Sequence, residues 1–499
     1  MMHRVRRLGM LAFVACVPAF SAVAGEEESV LPVNPLMILP FVILLLAVAV
    51  APFVSRHWWE KYYPHVSIGL GLITVGYYLI GLHHPVRMLH AGMEYISFIV
   101  LIGSLFVVAG GIHIRIKGES TPFANVFLLA VGAVISNIIG TTGASMILIR
   151  PYLRANRHRI RPFHVVFFIF TVSNLGGALT PIGDPPLFLG YLRGIPFFWV
   201  LENVWVIWLL VIAGILAVFF LLDVLNYRAR PPAVKKSIGR VPEEGEVRGL
   251  QNVLFLVMII VAVFITKPLF LRELVMVIAC VGSYYTTHHE IRKKNGFNFL
   301  PIKEVAILFA GIFATMVPAL DWLASHAGSI GIRTAGQFYW GTGVLSAFLD
   351  NAPTYLNFLT AATGLFVDAD IVAQVRHLVQ THGADISQVV GRHQLEVRTT
   401  YETLLKYHYD LVGSGHVPLE DIGTAYLIGN HNLTLQAISI AAVFFGACTY
   451  IGNGPNFMVK SIAEQTGVSC PSFFGFIFKY TVPILFPFLL MTWYFFFRG

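Results

Sequence analysis

Two stretches of the chain combine helix-breaking residues with oxygen-bearing side chains in the same order. Gly177-Ala178-Leu179-Thr180-Pro181-Ile182-Gly183-Asp184-Pro185-Pro186 aligns without a gap on Gly446-Ala447-Cys448-Thr449-Tyr450-Ile451-Gly452-Asn453-Gly454-Pro455. Gly, Ala, Thr, Ile, Gly and the final Pro coincide, and Asp184 falls opposite Asn453. Proline removes a backbone donor and glycine admits conformations that other residues avoid. Each stretch therefore opens a helix and frees its carbonyls and amides. Those carbonyls, with the side-chain oxygens of Thr180, Thr449, Asn137 and Asn351, suit a dehydrated Na+, because hard cations take oxygen ligands. Half-helix N-termini meeting at the same place suit an anion.

Two further polar points interrupt apolar runs. One is Ser136-Asn137, followed by Thr141 and Thr142. The other is Asp350-Asn351, followed by Thr354. If these points are hairpin tips that meet the breaks, Asp184 and Asp350 share one site. Two carboxylates close together cannot both stay charged cheaply, so a proton can share that site. This favours a cation exchanging with protons, with Asp184 and Asp350 as the proton-coupling groups. Plainer roles stay open: Asp350 can cap the second half of its hairpin, and Asp184 can be a turn residue of Gly-Asp-Pro-Pro.

The elements that must position these groups follow from composition. Of the 499 residues 56% are hydrophobic and only 12% charged, and mean hydropathy is +0.72. A soluble domain carries about a quarter charged residues, so lipid must take up the apolar surface. The net charge of +8 does not imply nucleic acid, since Lys and Arg cluster in short segments between apolar runs. Apolar runs near the roughly 20 residues a crossing needs cover 32–54, 65–82, 94–113, 163–192, 197–222, 251–265, 269–287, 303–320, 425–462 and 472–497. The runs 123–149 and 337–366 have polar, Gly/Pro/Thr-rich middles and are expected to be re-entrant hairpins, since irregular backbone survives there only against protein or a cavity. The predicted fold is an all-α integral membrane protein of two inverted repeats, each with five crossings and one hairpin. Repeat one occupies 25–227 and repeat two 251–366 and 423–499, joined by a cytoplasmic linker at 228–250.

Residues 1–24 resemble a secretory signal, with a basic start at Arg4, Arg6 and Arg7, an apolar centre and Ala22-Val23-Ala24 before Gly25; an uncleaved first helix is the alternative. With residue 25 outside, the basic clusters 150–161, 228–248 and 292–294 fall in the cytoplasm, as the positive-inside rule requires, only if the first hairpin returns to its side of origin. The segment 367–422 is polar and is expected to be a small periplasmic helical insertion, in a bacterial inner membrane. Its histidines either bind metal, sense pH or are simply solvated. The four cysteines have no metal or disulfide spacing, no Walker sequence occurs, and the segment 367–422, where an anchored enzyme would carry its chemistry, shows no nucleophile–base pattern.

Asn174-Leu175-Gly176-Gly177-Ala178-Leu179-Thr180-Pro181-Ile182-Gly183-Asp184-Pro185-Pro186 closely resembles the signature of the ion transporter superfamily, which includes NhaD-type sodium/proton antiporters, ArsB-type arsenite pumps and citrate transporters. Asp350-Asn351-Ala352-Pro353-Thr354 is similar to the Asp-Asn-x-Pro hairpin of its antiporter and arsenite branches. The resemblance spans the membrane part, 32–497, without the insertion. It implies a homodimer with a scaffold and a mobile transport body moving elevator-fashion. It places Ser136, Asn137, Thr141, Asp184, Asp350, Asn351, Thr354 and Asn453 around substrate and ion, with Na+ at the hairpin tips. Two departures stand out: Ile138 follows Ser136-Asn137 where the superfamily's dicarboxylate branch, the divalent-anion/sodium symporters, has Thr, and Ser136 stands where antiporter and arsenite relatives often carry an acid. The expected activity is secondary transport, foremost sodium/proton antiport. Citrate or another carboxylate carried with Na+ or H+, and arsenite efflux, are the alternatives. Na+ and H+ are transported or coupling ions, and no resident cofactor or enzymatic step is expected.

Overall fold

The structure, a computed structural model, describes residues 32–115, 121–229, 246–265, 268–329, 331–384, 386 and 393–498. The expected signal at 1–24 and linker residues 230–245 lie outside the described residues. Almost everything described is helix. Among the described residues seven helices are long and apolar enough to cross a membrane, or nine if each of two bent pairs counts as one. Peripheral helices present apolar side chains outward: Leu221 and Leu225 on Trp199–Arg228 are 64% and 63% exposed. A soluble monomer does not tolerate such belts, so this is a multi-pass membrane protein.

One of the seven, Pro122–Ala155, is not straight. Asn125 near its start and Asn156 just past its end exchange two hydrogen bonds of 2.8 Å. The two are 31 residues apart, and a straight helix would separate them by about 46 Å. The chain folds back at Gly140, whose φ of 77° and ψ of 154° suit only glycine. A second hairpin joins Ala335–Phe348 to Asn351–Phe366, its arms held together by Phe338 against Phe358 and Phe366.

Two broken segments occupy the centre. The first runs Pro162–Thr171, an irregular stretch, then Pro185–Leu192; the second runs Asn432–Gly446, then Gly454–Gln465. Val165 to Phe170 are all 0% exposed, as are Ile440 to Phe444. Helices apolar on every side belong inside a bundle, and here the hairpins and Trp199–Arg228 enclose them. Outside this centre, Arg56–Gly76 packs on Leu300–His326 through small residues: a Cβ on Gly311 would lie 2.5 Å from the Ser67 carbonyl oxygen, and Ser67 Oγ donates to the Ile307 carbonyl at 2.8 Å. Such stripes let backbones approach where lipid supplies no hydrophobic drive.

Two segments differ from the sequence reading. Glu246–Arg248, expected in the linker, forms a two-stranded antiparallel ribbon with His113–Arg115. Arg159, expected on the basic cytoplasmic loop, is fully buried. Its guanidinium holds Asp223 with both terminal nitrogens, and His164 Nε2 (3.1 Å) and Asn125 Nδ2 (2.8 Å) complete the carboxylate's shell. The buried Asp223 carboxylate is the partner that offsets the desolvation of this cation. The network ties both arms of the first hairpin, through Asn125 and Asn156, to the bundle. Residues 367–422 fold as Ala369–Gln380, Gln394–Tyr407, Tyr409–Gly413 and the start of Leu419–Asn430, around a core that includes Ile371, Val375, Leu378, Val397 and Leu404.

Candidate functional site

Asp184 heads the half-helix Pro185–Leu192 without capping it by its side chain, and is 1% exposed. Its carboxylate is instead held by three other parts of the chain. Thr141 Oγ1 of the first hairpin donates to Oδ1 at 2.8 Å, and Asn453 Nδ2 of the second broken segment donates to the same oxygen at 2.9 Å. Asn351 Nδ2 of the second hairpin donates to Oδ2 at 2.6 Å. Two breaks and two hairpin turns thus meet on one carboxylate. The proline pair at 185–186 fixes the start of the half-helix and removes its first donors, so the acid is free to bond across the bundle.

The breaks are built alike. Thr180 Oγ1 donates to the Asn137 carbonyl (2.6 Å) and accepts from Gly183 N (3.1 Å). Thr449 Oγ1 donates to the Ala347 carbonyl (2.6 Å) and accepts from Gly452 N (3.1 Å). Ser136 Oγ donates to the Val172 carbonyl (2.8 Å), and Ser346 Oγ to that of Ala442 (2.6 Å). Thr141 N donates to the Gly183 carbonyl at 2.8 Å. Side chains at Gly177 and Gly183 would collide, since a Cβ on Gly177 would lie 2.7 Å from the Gly183 carbonyl oxygen.

The turn of the first hairpin is therefore Gly140, not Ser136-Asn137. Those two lie in the last turn of the incoming arm and serve backbone. Asn137 bonds the carbonyls of Ala133 and Gly176 and accepts from Leu179 N (2.9 Å), which holds the first break against the hairpin. Thr141, the first residue after the turn, is what faces Asp184, as Asn351 does on the second hairpin. Thr142 lies beside it on a crevice. Asp350 caps its helix, with Oδ1 accepting from Ala352 N at 3.1 Å, and Thr354 Oγ1 donates back to the Asp350 carbonyl at 2.9 Å. Thr354 also lines an apolar groove of about 440 Å³ between the second hairpin and the helices Leu39–Val54 and Leu300–His326. No lysine, arginine or histidine among the described residues contacts Asp184 or Asp350.

Four buried groups of the site lie outside the set expected from sequence. Asn174 Nδ2 donates to Asn456 Oδ1 at 2.6 Å, joining the two breaks, and Asn456 Nδ2 binds the carbonyls of Gly446 and Thr449. Ser145 and Ser173 bond each other at 2.8 Å. Asn456 stands three residues after Asn453, the same face of a helix, and that spacing was the available signal. The Oδ1 atoms of Asn174 and Asn351 are buried without a partner. Such oxygens, with the opened carbonyls, are the chemistry a dehydrated alkali cation takes. Among the described residues no three His, Cys, Asp or Glu side chains come together; around the Asp184 carboxylate the remaining oxygens are amide, hydroxyl and carbonyl.

Between the hub and the helix Pro85–Ala109 runs a crevice of about 30 Å³, lined by Leu101, Leu105, Phe106, Gly140, Thr141 and Pro181 among others. Its volume has room for a water or two and not for a larger organic anion.

Spans that open at mid-chain around buried polar groups, with hairpins closing on them, define the secondary-transporter class of membrane protein. The chain belongs to the family described as putative citrate transport, whose model matches residues 31–497. No curated protein matches the chain.

Proposed function

We propose that the chain transports a citrate-class carboxylate together with Na+ or H+, by alternating access around Asp184. The observation that carries this reading is the convergence of two breaks and two hairpin turns on one carboxylate, in a member of a citrate-transport family. A polycarboxylate arriving beside Asp184 and Asp350 meets no basic side chain, so coupling cations must neutralise it. The partnerless amide oxygens of Asn174 and Asn351 are where such a cation is held. Loading it rearranges the amides that also hold Asp184, and this ties cation binding to the hairpins. The paired bonds at Ser136 and Ser346, and at Thr180 and Thr449, support two inverted repeats. With such repeats the gate on either side is the same device in opposite orientation. The working unit in this reading is a homodimer in a bacterial inner membrane.

Sodium/proton antiport is the second reading, favoured by two acids at the site with no basic partner. Labelled-citrate counterflow in proteoliposomes, run with imposed Na+ and proton gradients between about pH 5.5 and 8, separates them. Citrate exchange lost in Asp184→Asn is expected. A purified, folded protein that moves no citrate in that range, yet answers Na+ with a pH change, replaces the first reading by the second.

A further inference from the structure

Two arginines flank the Asn295–Phe297 turn, and among the described residues no acid contacts either. Arg150 lies on the returning arm of the first hairpin, nine residues past Thr141, or about 13 Å along the helix. Its guanidinium packs on Gly296: a Cβ there would lie 2.6 Å from Arg150 Nη2, and Gly296 has a φ of +56°. Glycine at 296 thus makes room for the cation. Nη1 of Arg150 is buried and has no hydrogen-bond partner. The next residue, Phe297, stacks near Phe106 with ring centres 5.3 Å apart, and Phe106 lines the crevice that reaches Thr141 and Pro181. Arg292 sits on the other side of Phe297, its Cζ 4.8 Å from the ring centre. It donates to the carbonyls of Val107 (2.9 Å) and Ser283 (3.1 Å). No carboxylate among the described residues contacts either arginine.

Burying a guanidinium nitrogen without an acceptor is costly, and Arg159, with its buried Asp223, shows how this chain answers that cost elsewhere. Nη1 of Arg150 lacks an acceptor, and Arg150 stands seven residues, about two helical turns, past Gly143, which lines the crevice beside Thr141. Helical side chains lean toward the helix N-terminus, which here points the fork of Arg150 back along the face that carries Gly143, a lining residue of the crevice. We infer that the seam between the first hairpin and the Asn295–Phe297 turn is an oxyanion site, in which Arg150 receives a carboxylate of the substrate before it reaches the hairpin turns. Arg292 stiffens the turn and adds positive charge. The inference rests on the carboxylate reading of the function. The phosphate of an anionic lipid offers the same fork-matching chemistry, and the test distinguishes the two.

The full-length protein is reconstituted in phosphatidylcholine vesicles, with and without phosphatidylglycerol, as wild type, Arg150→Gln and Arg150→Lys. Citrate counterflow is read from each face, and thermal stability with citrate or phosphatidylglycerol. A substrate site predicts a citrate KM raised about tenfold at one face in the glutamine variant. Its kcat should be kept, and the lysine variant should fall between. A lipid-phosphate site predicts unchanged KM and loss, in Arg150→Gln only, of the stabilisation phosphatidylglycerol gives the wild type. If neither KM nor lipid stabilisation changes, there is no oxyanion site at Arg150. Wild type that moves no citrate sinks the transport reading instead, while the lipid arm still judges the arginine.

Discussion

Replacing Asp184 by alanine and by asparagine separates the acid's part in holding the site together from its part in transport. In the wild type three side chains donate to the carboxylate: Thr141, Asn351 and Asn453. Alanine removes every acceptor. Asn453 keeps a second, longer bond to the Ser173 carbonyl at 3.3 Å, so Thr141 and Asn351 are the two donors left fully stranded. A buried donor without a partner costs about 1–3 kcal/mol, which gives about 2–6 kcal/mol for the pair. Asparagine behaves differently. Its amide oxygen replaces Oδ1 for Thr141 and Asn453, and its NH2 faces Asn351. Asn351 can turn its amide over, because its Oδ1 is buried without a partner and then becomes the acceptor. Neutral bonds are weaker than charged ones, but the desolvation of a buried carboxylate is relieved at the same time. Asp184→Asn is therefore expected to unfold close to the wild type, and Asp184→Ala well below both, in thermal denaturation of purified protein in detergent. Both should fail in citrate counterflow, since neither carries the charge to which cation binding is tied. An alanine variant as stable as the asparagine one would refute the hub argument, whatever happened to transport.

The Arg159–Asp223 network predicts an asymmetric pair of outcomes. Arg159→Met leaves a buried carboxylate without its main partner and should cost about 3–5 kcal/mol, whereas Arg159→Met with Asp223→Leu should regain most of the loss; comparing unfolding temperatures of the three proteins decides it. Gly140→Ala forces a side chain into a backbone conformation that costs about 1–3 kcal/mol and places a Cβ 3.2 Å from the Ile182 carbonyl oxygen. The expected result is a displaced Thr141, read as reduced folded yield and lost counterflow. Normal yield and normal transport would mean that the turn is not where the site's geometry is set.

The sequence determined by itself what depends on neighbours along the chain. Mean hydropathy and run length fixed a helical membrane protein, because lipid accepts only backbone that satisfies itself. The Gly and Pro residues of 177–186 and 446–455 fixed where helices open, because their effect on the backbone is local. The helical faces at 371–379 and 397–404 in the insertion were legible for the same reason, through their period. Partnership across the bundle was not legible. Ser136-Asn137 was read as the first hairpin's tip, yet Gly140 makes the turn and Thr141 reaches Asp184; a polar pair and a lone glycine in an apolar run are equally plausible turns until a partner is in place. Asn174 meets Asn456 across 282 residues, and Arg159 finds Asp223 across 64. Such pairs depend on which helices become neighbours and how deeply they are buried. The tertiary structure alone decided that Asp184 is the acid on which both hairpins and both breaks close, while Asp350 caps its own helix. A carboxylate's role follows from the donors that reach it, and those come from segments that meet only once the bundle has packed.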